Sequence, residues 1–309
     1  MTITPDICSI ITKYIYKPEY KLLDWIDKNK LTNRILLSGN IKAITFLTEN
    51  QEKINWDLLS FNPNAINLLE ENLDKINWDY LSENKNAIHL LEKYPNKINW
   101  TYLSSNRNAI HILERNPEKI DWNFISSNPN AISLIEKNPE KINWYYLSEN
   151  KNANHLLEKN QDKIDWNSLS FNPNAIEILE QNISNINWTN LSLNVNAIEL
   201  LEKNQDKIDW YYLSSNTNAI HILEKNIDKI NWVSLSYNEN AIELLEKHQD
   251  KIDWFNLSRN HNAINLLEKN KDKIYWEYFS SNKSIFEEVI NKERFDDIQK
   301  TLEIVLIKN

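Results

Sequence analysis

INWDLLSFNPNAINLLEENLDK, residues 54–75, is the stretch that decides the fold. Its tryptophan, Trp56, returns at Trp78, Trp100, Trp122, Trp144, Trp166, Trp188, Trp210, Trp232, Trp254 and Trp276, always 22 residues on. Eleven alanines, Ala43 to Ala263, keep the same spacing, and the chain has none elsewhere. A rare bulky residue and a small one locked to one period mark a tandem repeat, in which each unit packs mainly on its neighbours.

Within the unit, Asn55 precedes Trp56, and Asn or Asp holds that place in later copies until Tyr275. Side chains of this kind cap helix N-termini. Ile54 and Leu59 flank the cap as a hydrophobic staple. The spacing predicts a helix of one or two turns over Trp56–Phe61, with Trp56 and Leu59 on its buried face. Asn62 is expected to cap a second helix with Pro63 at its first position, as with Pro129 and Pro173. There Ala65, Ile66, Leu68 and Leu69 cover roughly 160° at 100° per residue, enough to touch both the partner helix and the next unit. The period-2 alternation of a strand is absent. The chain has one glycine, Gly39. Asparagine is therefore expected to supply the left-handed turns, with Asn72 in the αL position after the second helix.

These readings give an all-α fold, an α-solenoid of 22-residue two-helix repeats forming a superhelix with helical caps. Residues 1–33 are expected to be an N-terminal helical cap, 34–282 about eleven repeats, and 283–309 C-terminal capping helices. The first copy is degenerate, with Arg34 at the tryptophan position. Leu22 and Trp25 fall in register with Ile66 and Leu69, so residues 19–29 read as the second helix of an earlier unit. At the other end Ile285 takes the alanine position and Glu288 a core leucine position. Phe295, Ile298, Leu302 and Val305 then form a 3-4-3 stripe on a covering helix.

A net charge of −9 with lysines interleaved among acids argues against nucleic acid as a partner. No apolar run approaches the ~20 residues that cross a bilayer. The single cysteine, Cys8, fits a reducing compartment. One glycine excludes a Gly-rich phosphate loop, and no nucleophile–base pair stands out from the repeats. The expectation is a non-enzyme without cofactor or metal. His89 and His111 occupy equivalent positions, but helices ~8–10 Å apart keep two imidazoles from sharing an ion. The rows of Glu70 to Glu268 and Lys53 to Lys273 read as scaffold, as does the asparagine row at 62 and 64. Asn154, where the other copies have isoleucine, reads as a tolerated defect.

The two residues after each tryptophan keep no rule. Tyr80, Tyr102, Phe124, Tyr145 and Tyr146 form one aromatic run, Tyr211 and Tyr212 a second patch, and Phe255 lies further on. Aromatics at interfaces carry much of the binding energy. These residues are the partner-binding candidates, for a protein or peptide, with self-association as an alternative. Sideways packing between copies is the competing role for the same rings.

The unit N-P-N-A-I-x-L-L-E-K-N-x-x-K-I-[ND]-W-x-x-L-S, over residues 35–282, resembles the short Asn/Lys/Ile/Trp repeats of giant DNA viruses (mimivirus-like). The resemblance implies a viral protein in the host cytoplasm, or in the virion, and little chemistry. The architecture is also similar to leucine-rich-variant stacks, which alternate α and 3-10 helices. Thr4-Pro5-Asp6-Ile7, Ile11, Tyr14 and Ile15 resemble the opening of an F-box, with Thr4 in place of the usual leucine. That resemblance implies a substrate adaptor of a host ubiquitin ligase; a plain capping helix is the alternative.

Overall fold

The computed structural model describes residues 19–289 together with 292, 296, 297 and 300. The F-box-like stretch Thr4–Ile15 lies outside the described residues, as do Phe295, Ile298, Leu302 and Val305 of the expected covering helix.

Each unit has three sides. In the quoted stretch they are an α-helix at Trp56–Phe61, an α-helix at Ile66–Glu70 and a 3-10 helix at Leu73–Lys75. The architecture is the expected all-α tandem repeat, with the 3-10 turn added as a third side. Asn55 caps the first helix as expected, accepting the Leu58 N–H at 2.9 Å. Leu59, Ala65 and Leu69 are completely buried between the sides.

Two turns differ from expectation. Asn62 ends the first helix rather than capping the second, which begins only at Ile66. Its Oδ1 accepts the Asn64 N–H at 3.1 Å, closing a side-chain turn around Pro63. Asn72 is not left-handed: its φ is −136° and ψ 51°, and no described residue has positive φ. Its Nδ2 instead donates to the Leu68 carbonyl at 2.9 Å, the helix-end acceptor that a left-handed cap would satisfy through the backbone. Asparagine thus replaces glycine through hydrogen bonding, and not through backbone freedom.

Units are joined by polar side chains buried within the stack. Asn62 Nδ2 donates to the carbonyls of Ser38 (2.9 Å) and Asn40 (3.2 Å) in the preceding unit. Ser60 Oγ donates to Trp56 O at 2.8 Å and accepts the Asn77 N–H of the next unit at 3.0 Å. Both donors and the acceptor of a buried amide are therefore used, which removes the penalty of burying it.

The asparagine row has a consequence for the whole chain. Asn40 has no preceding unit in sequence, yet its Nδ2 donates to Ser280 O (3.3 Å) and Asn282 O (3.1 Å), the equivalent carbonyls at the far end. The solenoid closes on itself. Twelve first helices, from Arg34–Gly39 to Trp276–Phe279, form a ring; they are numbered here as units 1 to 12.

Unit 12 is completed by both ends of the described chain. Strand β1 (Glu19–Leu22) pairs antiparallel with β2 (Phe286–Val289), with Leu22 opposite Phe286. This strand pair packs on the second helix of unit 1, Ile44–Glu49, and Phe286 sits 5.9 Å from Phe46. The 3-10 helix Lys28–Lys30 supplies the third side, and Lys30 Nζ stands 4.6 Å from the Trp276 ring. Trp25 meets Phe279 at 5.9 Å. Residues 19–29 are therefore strand, loop and 3-10 turn rather than the expected helical cap, and the expected superhelix is a closed ring. Closure buries both end faces of the stack, the task that terminal caps perform in an open solenoid.

Candidate functional site

The first helices pack directly against one another from unit to unit, whereas second helices and 3-10 turns are spaced more widely. The first helices therefore make the inner wall and the others the outer layers. On a helix each residue advances 100°. Leu59 and Ser60 are buried towards the outer layers, so Asp57, Leu58 and Phe61 face the opening. Pro63 and its equivalents lie on one rim, in the turn between inner and outer helix. Twelve helices at ~8–10 Å spacing, each ~10–12 Å thick, leave an opening on the order of 20 Å across.

The residue after each tryptophan falls mainly into two classes. Asp57 and Asp79 each accept the N-cap amide of the next unit, Asn77 and Asn99, at 2.8 Å. Asn123 and Asn167 do the same for Asn143 (2.7 Å) and Asn187 (2.8 Å). Thr101 and Thr189 donate to Asp121 (3.4 Å) and Asp209 (3.3 Å). These side chains belong to the scaffold. Ile35, Tyr145, Tyr211 and Val233 stand at the same position with apolar or aromatic groups exposed to the opening.

The structure separates the candidate aromatics along this line. Tyr145 and Tyr211 are 51% and 54% exposed. Tyr80, Tyr102, Phe124, Tyr146, Tyr212 and Phe255 are half-buried. Tyr80 meets Tyr102 at 6.2 Å and Phe124 meets Tyr146 at 6.1 Å, each pair bridging two units. Tyr145 and Tyr211 rest edge-on against Tyr146 (5.2 Å) and Tyr212 (5.1 Å). Phe255 packs on Tyr278 of unit 12 at 4.4 Å and on Tyr275 at 5.6 Å. Most of the single aromatic run is thus inter-unit packing, with Tyr145 and Tyr211 projecting from it.

Sequence reasoning missed the position five residues after tryptophan. It also faces the opening and carries Phe61, Phe171 and Tyr237, all exposed. The signal was present, since the position also holds Glu83, Ser105 and Arg259. What was lacking was the knowledge that this face lines an interior wall. Of the large hydrophobic side chains exposed among the described residues, only Tyr275 lies outside the wall and the Pro63 rim. The outer layer is hydrophilic.

The chain matches no family model, no curated protein and no solved structure.

The charged rows take their expected scaffold role in a specific form. Lys75 Nζ stands 4.6 Å from the Trp56 ring, and the arrangement recurs at Lys119–Trp100 (4.5 Å) and Lys273–Trp254 (4.5 Å). The tryptophans are thus half-buried rather than sealed, and most carry a cation from the following turn, whereas Trp166 has Asn185 at that place. Where Tyr94 or His248 replaces the helix-ending asparagine, its ring lies on Trp78 (5.3 Å) or Trp232 (4.9 Å). His89, His111, His155 and His221 each pair with a glutamate of the preceding unit at 2.8–3.1 Å. Among the described residues no three His, Cys, Asp or Glu side chains converge as metal ligands. No helix among them is long and apolar enough to cross a membrane. Asn154 donates to the Asn174 carbonyl, and its Oδ1 is buried without a partner.

A groove of about 510 Å³ runs along the rim of units 2 to 5, lined by Phe61, Pro63, Glu83, Lys85, Arg107 and Pro129 among others. Burial there raises the Glu83 carboxyl above its ordinary pKa.

Proposed function

We propose that the protein is a non-enzymatic scaffold that receives a protein or peptide in the opening of its ring. The observation that carries this reading is the segregation of exposed apolar side chains. Tyr145, Phe171, Tyr211, Val233 and Tyr237 all face one interior wall, while Glu, Lys, Asn and His cover the outside. Exposed apolar patches of this kind mark interaction sites on soluble proteins. The scaffold around them is polar, repeated and internally satisfied, so little else distinguishes one unit from the next.

Closure argues against the alternative of end-to-end self-assembly. An open solenoid exposes two complementary hydrophobic ends, whereas here each end covers the other. The viral setting implied by the repeat's resemblance makes the interior of a host cell the proposed place of action.

A photo-crosslinking amino acid placed at Tyr145 or Val233, compared with one at outer residue Glu199, tests the reading in extracts of the native host. Specific adducts are expected from the wall positions only. Equal adducts from Glu199, or none from the wall, would count against it.

A further inference from the structure

The wall is not uniform around its circumference. Units 3, 4 and 5 are the longest run of consecutive units with no large hydrophobic side chain exposed on the wall. They present Asp79, Thr101 and Asn123 at the first wall position and Glu83, Ser105 and Ser127 at the second. Lys85 and Arg107 stand on their rim, in the groove with Glu83. In a ring of twelve, units 9, 10 and 11 lie diametrically opposite. That arc carries Tyr211, Val233 and Tyr237 exposed on units 9 and 10, with Tyr212 and Phe255 half-buried and Arg259 of unit 11 lying 5.4 Å from the Tyr237 ring. The side chains that project into the opening are therefore apolar on one side and polar, of mixed charge, on the other, while half-buried aromatics line both, Tyr80, Tyr102 and Phe124 on units 3 to 5 included.

Two further facts limit the occupant. The wall consists of helices whose backbone groups bond within themselves, and the turn carbonyls are taken by the asparagine rows. Among the described residues no strand edge faces the opening, because β1 and β2 both lie in the outer layer. Recognition must then run through side chains, as when a helix docks into a groove, and not through strand addition. An α-helix ~10–12 Å across enters an opening on the order of 20 Å, whereas a globular domain does not.

We propose that the occupant is one amphipathic α-helix of a partner protein, entering by a free end. Its apolar stripe lies on units 9 to 11, and its polar face turns towards units 3 to 5. The six-residue inner helices are ~9 Å tall at 1.5 Å per residue, so two to three turns of the partner make contact. Apolar anchors at i, i+3, i+4 and i+7 cover that length. Mixed charge on the far side favours a polar face bearing both signs. The inference rests on the wall being the docking surface and adds the shape and chemistry of what docks.

Fluorescence anisotropy with synthetic peptides tests it on the full chain. The probe is a labelled 18-residue helix with leucines on one face and alternating Glu and Lys on the others. Its control has the same composition with the leucines scattered around the helix. The expected result is at least tenfold tighter binding of the amphipathic probe. That preference is lost in Val233→Asp/Tyr237→Asp and in the milder Tyr211→Ser/Tyr237→Ser, and kept in the outer-surface Glu199→Ala. Circular dichroism melts of all variants establish folding. No binding of the probe, equal binding of both peptides, or binding unchanged in both wall variants overturns the proposal. A scattered peptide bound as tightly, and lost in the wall variants, overturns the helix while leaving the wall as docking surface. Crosslinks from position 233 into residues 290–309 of the same chain would show a self-occupied opening and overturn the partner helix.

Discussion

Asparagine performs four jobs in this chain, and they differ in cost. Asn150 is buried, donates to Ser126 O (2.9 Å) and Asn128 O (3.1 Å), and accepts the Asn152 N–H at 3.0 Å. Asn152 makes one partly buried bond to Pro129 O at 2.8 Å, besides giving its N–H to Asn150. Asn150→Ala strands two buried carbonyls, so a loss of about 3 kcal/mol is expected in urea unfolding, against about 1 kcal/mol or less for Asn152→Ala. Asn150→Asp should be worse still, since it turns two donors into acceptors facing carbonyls. Of the remaining two jobs, the N-cap at Asn55 was readable as local chemistry, whereas Asn72 was placed at the helix end but expected in a left-handed turn that it does not make. The inter-unit pairing of Asn62 was not, because its acceptors lie 22 and 24 residues away.

Two further residue-level outcomes follow from exposure. Tyr145→Ser should change stability by less than about 0.5 kcal/mol, as surface changes do. Tyr146→Ser breaks contacts with Phe124 and Tyr145 and should cost about 1–2 kcal/mol. Thermal melts of the two variants side by side check this. Glu83 has its folded pKa raised by burial. The folded state then holds its proton to higher pH than the unfolded chain, so stability falls as pH rises through that window. Above it, the buried charge is a standing penalty. Glu83→Gln should therefore raise the melting temperature at pH 7 and have no such benefit below pH ~4, where the unfolded carboxyl is also protonated.

At the scale of elements, the short helices were legible because caps, staples and apolar spacing are local. The fate of residues 19–29 was not. Leu22 and Trp25 fit a helical register, yet the segment forms a strand because β2 lies beside it. Tertiary pairing overrides a weak local preference when few residues are involved. The seam is also where the ring is held by the smallest elements. Phe286 is 1% exposed and packs on Phe46. Phe286→Ala should cost about 3–5 kcal/mol locally. Hydrogen exchange is expected to accelerate at residues 19–25 and 283–289 first, with units 5 to 8 unchanged. Uniform acceleration around the ring would contradict a separate seam.

At the scale of the molecule, closure depends on number. Twelve units each turn the stack by about 30°, since curvature accumulates from a small rotation per repeat. Removing one 22-residue unit from the middle leaves every local interface possible but the circle incomplete. The shortened chain should remain helical by circular dichroism, lose exchange protection at 19–22 and 286–289, and give a less compact scattering profile. A shortened chain that kept seam protection would show that the units flex to close smaller rings. The same arithmetic sets the candidate site, because units 9 to 11 face units 3 to 5 only when the circle is complete.

Sequence by itself determined the repeating unit, the cap of its first helix, its buried stripe and the positions free to vary, since each rests on contacts within one period or on repetition of that period. The roles of those free positions needed tertiary structure. Tyr146 and Tyr145 are adjacent in the chain, yet one fills a seam between helices and the other projects into the opening. That the stack closes, that β1 and β2 meet, and that an apolar arc faces a polar one were decided only by the fold. A rotation of some tens of degrees per unit leaves no mark on any single repeat, and becomes a ring only when summed over all of them.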